Sequence, residues 1–98
     1  MRPIAQNIFP GTKIILERLG KKIKNKRKLL GLTIIQVACR TQASRSTITL
    51  IEKGTPGVSL GTYLQVMRVL GFLADLEIIA TENMDDHIRL HRLLKGKV

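Results

Sequence analysis

Tryptophan is absent, and one tyrosine and two phenylalanines are the only aromatic residues in 98. A core must therefore be built from Ile, Leu, Val and Met. Cys39 is the only cysteine. That excludes an intramolecular disulfide and every metal or redox motif that needs paired thiols. Only two histidines are present, His87 and His91, and both fall near the end. No nucleophile, base and acid can be assembled from this set, so the chain is expected not to be an enzyme and to need no cofactor. No apolar run approaches the roughly 18 residues of a membrane span. The opening "MRPIAQNIFPGT" has no apolar stretch of the kind a secretory signal needs. A single domain in a reducing cytoplasm is the expectation.

Acidic residues are scarce as well, with seven Asp and Glu against seventeen Lys and Arg and a net charge of +10. The imbalance is local. Residues 1–54 hold twelve Lys or Arg and two acids, whereas residues 55–98 hold five of each. All of the excess positive charge lies in the first half. Such asymmetry points to a polyanion, either nucleic acid or an anionic membrane surface, and nucleic acid fits it best.

Apolar spacing reads as a run of short helices. From Thr12, the residues Leu16, Leu19, Ile23 and Leu30 recur on one helical face, and Gly31 ends the helix. The core-facing slot between Ile23 and Leu30 falls at Lys26 or Arg27. Thr33 can cap a second helix, with Gln36 placed to complete a capping box. Its apolar face is Ile34, Val37, Ala38 and Thr41. Cys39 lies beside that face and reads as a packed thiol. Ser44 can cap a third helix, "RSTITLIEKG", which turns Ile48 and Ile51 inward and stops at Gly54. "GTPGVSLG" lacks the Gly-Lys-Ser/Thr ending of a phosphate loop and reads as a turn. Ser59 can cap a fourth helix with Leu60, Tyr63, Leu64, Met67 and Leu70 on one side and Gly71 at its end.

Two short helices joined by a tight turn in a basic context suggest a helix-turn-helix. The third helix would then be the recognition helix. Its hydroxyls and Arg45 suit base edges and phosphates, because Ser and Thr both donate and accept and Arg can fork onto guanine O6 and N7. The candidate DNA-binding residues are Thr33, Gln36, Ser44, Arg45, Ser46, Thr47, Thr49, Leu50 and Lys53. Glu52 lies four residues after Ile48, so it faces inward and can meet Arg27 as a buried ion pair.

The stretch from Leu19 to Phe72 resembles the XRE family, the helix-turn-helix domains of phage Cro and repressor proteins. The matching residues are "IKNKRKLLGLT", Val37-Ala38, "SRSTITLIEKG" and Leu60 with "YLQVMRVLG". The resemblance implies a mostly α, five-helix-type lambda-repressor-like domain and an Arg27–Glu52 pair holding helix three against helix one. Three positions depart from the family pattern. Ile34 stands where a phosphate-contacting Gln is common. Gln42 stands where the turn tends to have Gly, so strain or an altered turn is expected there. Leu50 occupies a slot that often carries a polar reading residue, which shifts the reading towards Arg45, Ser46 and Thr49 or lets Leu50 touch a thymine methyl.

"FLADLEIIA" alternates Ala74, Leu76, Ile78 and Ala80 against Asp75, Glu77 and Ile79, and is expected as a half-buried strand. A lone strand needs a partner, and its own copy across a two-fold axis is the simplest. Leu76 and Ile78 would form that dimer interface. A helix-turn-helix followed by one dimerising strand resembles HipB-like antitoxins, which implies autoregulation and binding of a HipA-type kinase toxin. The alternatives are a phage-type or chromosomal regulator without a toxin, and an interaction module that has lost operator binding. The tail "TENMDDHIRLHRLLKGKV" contains a short helix with acids first and bases last. His87 and His91 have metal-ligand spacing but lack further ligands, and read as surface residues with no metal. The expected organisation is an arm over 1–11, the DNA-binding domain over 12–71, a dimerisation strand over 72–81 and a tail over 82–98.

Overall fold

The computed structural model describes residues 8–95. Six α-helices, and no strand among the described residues, follow in order: α1 (Pro10–Leu29), α2 (Ile34–Thr41), α3 (Arg45–Glu52), α4 (Leu60–Val69), α5 (Leu73–Ala80) and α6 (Met84–Lys95). The first seven residues of the expected arm lie outside the described residues. Pro10 already occupies the first position of α1, where its missing N–H costs nothing.

The local signals act as the residue chemistry dictates. Gly31 takes a left-handed φ of 71°. The Leu32 N–H then reaches the Arg27 carbonyl and the Gly31 N–H reaches the Lys28 carbonyl, which closes α1 sharply. Leu30 falls in that turn and is exposed, not on the core face that the periodicity gives it. Thr33 and Gln36 form both halves of the capping box of α2. Ser44 caps α3 and Ser59 caps α4, each through its side-chain oxygen.

One core joins α1 to α4 and the start of α5. Ile23, Val37, Ile48, Ile51, Val66 and Leu70 are fully enclosed, with Tyr63, Met67, Ala38 and Phe72 around them. The buried face of α4 is Tyr63, Val66, Met67 and Leu70, so Val66 takes the place expected of Leu60 and Leu64, which are exposed. Leu60 is the first residue of α4 and projects past the end of the core. Cys39 is exposed and not packed, because α2 buries only Val37 and Ala38. The Tyr63 hydroxyl donates to the Thr55 carbonyl at 2.7 Å and ties α4 to the loop after α3. Burial raises the Tyr63 pKa above its ordinary value.

The expected strand is a helix. Residues Leu73, Leu76, Glu77 and Ala80 are spaced as one helical face, and together they line a hollow with Leu64, Arg68 and Leu90. The alternation of Ala74, Leu76, Ile78 and Ala80 is coincidental, since Ile78, Ile79 and Ala80 are apolar in succession and Ala, Leu and Glu favour helix. Glu77 hides the helical period because an acid sits on the inward face. Its carboxylate is buried and receives His91 Nδ1 at 2.9 and 3.0 Å from its two oxygens, with His87 Nε2 at 3.8 Å. The direction of this hydrogen bond follows the tautomer of the His91 ring. This contact docks α6 on α5. Leu76 packs against the chain's own core, while Ile78 is 69% exposed.

Candidate nucleic-acid interface

The α2–α3 unit presents two helix starts, each with a hydroxyl cap, on the basic half of the chain. Three residues link the helices. Gln42 adopts φ 57° and ψ 31°, the left-handed conformation that glycine accepts freely. The Ala43 N–H reaches the Ala38 carbonyl at 3.0 Å across this turn. The turn therefore keeps the shape glycine would give it and carries strain at a residue with a Cβ.

Two devices hold α3 against α1. Arg27 donates through Nε to Glu52 Oε2 at 2.6 Å and through Nη2 to Oε1 at 3.1 Å. Its Nη1 donates to the Leu32 carbonyl at 2.9 Å. The side chains are only 10% and 6% exposed. The fork fixes the end of α3, the end of α1 and the following turn relative to one another. The hydrogen bond to Glu52 raises the Arg27 pKa further above its ordinary value, against the opposing effect of burial. Gly20 is the second device, and the sequence reading passed over it. A Cβ there would lie 2.6 Å from the Ile51 carbonyl oxygen and 2.7 Å from that of Glu52. A Cβ on Gly54 would equally meet the backbone of Leu16 and Glu17. The one signal in the sequence is a Gly inside a helical pattern, which costs helix stability relative to Ala and so calls for a packing reason.

The expected reading residues divide into two groups. Ser44 Oγ accepts from the Thr47 N–H at 3.1 Å and lies 2.9 Å from Thr47 Oγ1. Thr49 Oγ1 donates to the Arg45 carbonyl at 3.1 Å. Thr33 and Gln36 bond to each other at the start of α2, at 3.1 and 2.8 Å. These polar groups have work inside the fold. Arg45 and Ser46, in the first turn of α3, are exposed and have no side-chain hydrogen bond among the described residues. Leu50 and Lys53 are also exposed. Arg45, Ser46, Thr49 and Leu50 line one depression with Arg27, Leu32, the cap Thr33, and Ile34 and Ile35 of α2. Ile35 is an exposed member of that surface that sequence reasoning did not single out.

A family model described as a helix-turn-helix domain matches residues 18–77. The chain belongs to the helix-turn-helix domain family. The match runs from the middle of α1 into α5 and takes in the whole depression and the Arg27–Glu52 fork. No curated protein matches. Among the described residues, no group of three or more His, Cys, Asp or Glu side chains is placed to hold a metal ion, and no helix is long and apolar enough to cross a membrane.

Proposed function

We propose that this helix-turn-helix protein is a sequence-specific transcriptional repressor that binds a palindromic operator as a two-fold dimer. The observation that carries the reading is the first turn of α3. Arg45 and Ser46 stand free among the described residues, while Ser44, Thr47 and Thr49 are held by the fold. Arg45 reads a base edge in the major groove, and the helix starts and the surrounding cations, Lys53 among them, hold phosphates. Two copies meet through the exposed apolar residues of α5 and α6. That half of the chain carries no net charge, so two copies approach there without repulsion while both basic halves remain on DNA.

The antitoxin reading rested on a dimerising strand. With α5 in its place, no observation favours a HipA-type toxin partner, and a phage-type or chromosomal regulator is the simpler reading. Selection from a random duplex library with the full chain, followed by titration at fixed salt, tests the proposal. Arg45→Ala should cost about 1–3 kcal/mol of operator binding and relax preference at one base pair. Lys53→Ala should weaken all duplexes alike and lower the salt slope by about one. A chain that enriches no sequence is an interaction module and not an operator binder.

A further inference from the structure

The surface between α2 and α3 carries two aliphatic side chains that the core does not use. Ile35 is 54% exposed and Leu50 is 41% exposed. Val37 and Ala38 supply the core contacts of α2, and Ile48 and Ile51 those of α3. Nothing in the packing of the domain requires an aliphatic residue at position 35 or 50. Both line the same depression as Arg45, Ser46 and Thr49, and Leu32 and Ile34 line it with them, so a largely apolar hollow lies directly beside the cationic start of α3.

A DNA-facing surface meets phosphates, sugars and base edges. The major groove offers one strongly apolar group on those edges, the C5 methyl of thymine. We infer that Leu50, flanked by Ile35, seats a thymine methyl, and that the operator therefore carries a thymine within about two base pairs of the base read by Arg45. The inference rests on the operator reading above and adds the identity of a second base. The helix sets the spacing. Leu50 lies five positions after Arg45, about 7.5 Å along α3 at about 1.5 Å per residue. That spans about two steps of about 3.4 Å along a strand. The thymine lies within about two base pairs of the Arg45 contact. Charge complementarity argues for DNA as the occupant of this surface, because an aliphatic pair bordered by Arg45 and two helix starts suits a polyanion with an apolar group on its edge.

Deoxyuridine differs from thymidine only in lacking that methyl, which makes a direct test. A duplex is selected from a random library with the full chain, and each thymine is replaced in turn by deoxyuridine. Affinity is measured by fluorescence anisotropy at one salt concentration. Burying a methyl-sized group predicts a loss of about fourfold at one thymine of each half-site. Leu50→Ala should lose a similar factor on the thymine duplex and no longer distinguish thymine from uracil there. Circular dichroism verifies that the variant is folded, and the substituted duplexes with the unaltered protein test the contact without any variant. Indifference to uracil at every position overturns this inference while leaving the operator reading intact. So does a thymine preference that persists in both Leu50→Ala and Ile35→Ala. Failure to enrich any duplex overturns the operator reading, and this inference with it.

Discussion

A short helix can begin in hydroxyls for two reasons, and α3 shows both kinds of position side by side. Ser44 and Thr47 close the cap, and Thr49 bonds back one turn. Only Ser46 among these hydroxyls is left to face outward with Arg45. Counting hydroxyls overstates a reading surface because capping uses the same chemistry. The Arg27–Glu52 fork likewise serves position. It would leave a costly unpaired charge if either partner were lost, and each guanidinium nitrogen already has a partner within the fold, two on Glu52 and one on the Leu32 carbonyl. Gln42 shows the opposite economy, a residue that costs stability where it stands. Its left-handed backbone costs about 1–2 kcal/mol relative to glycine, part of which the greater freedom of glycine in the unfolded chain offsets. Gln42→Gly should therefore stabilise the domain by about 0.5–1 kcal/mol. Urea denaturation would show it as a higher midpoint with an unchanged slope, and a lower midpoint would mean that the Gln42 side chain contributes something the backbone geometry does not reveal.

At the scale of elements, glycine decides how near helices can come. Gly20 lets the backbone of α1 rest on the end of α3, and Gly54 answers from the other side. A methyl added at Gly20 would meet three backbone atoms within 3 Å, and no flexible side chain is there to yield. Gly20→Ala should destabilise by about 1–3 kcal/mol or more, although alanine is the better helix former. Gly11, with open space around it, is the control, and Gly11→Ala should be neutral or slightly stabilising. Thermal melts of the two variants separate close approach from helix propensity. The caps at Thr33, Ser44 and Ser59 were legible from sequence because each depends on one side chain and its own helix. So was the inward face of α3. What could not be read was α5, where the residue that breaks the apolar period is a buried acid. Glu77 is hydrogen-bonded by His91, fourteen positions away, and no local pattern announces such a partner. Arg45 was found by motif, but its freedom relative to its hydroxyl neighbours shows only in the folded chain.

The whole molecule is divided by charge and by surface character. The basic half holds the depression between α2 and α3, and the neutral half holds α5 and α6. On that second half, Ile78 shares one hollow with Ile88 and another with Met84. All three are exposed, an apolar patch of the sort that marks an interaction site. A single helix-turn-helix reads only a few base pairs, so specificity calls for two recognition helices about 34 Å apart on a palindrome. A second copy against α5 and α6 would supply the spacing without covering α3. Ile78→Asp tests this cleanly. Ile78 is outside the core, so the change should cost the folded chain little, yet it would place an unpaired carboxylate in the joined surface. We expect monomers in sedimentation, weak binding to isolated half-sites and loss of cooperativity on the palindrome. A variant that stays dimeric with full operator affinity would move the interface elsewhere. The exposed Phe9, Ile14 and Ile15 near the start of α1 would then be the next surface to alter.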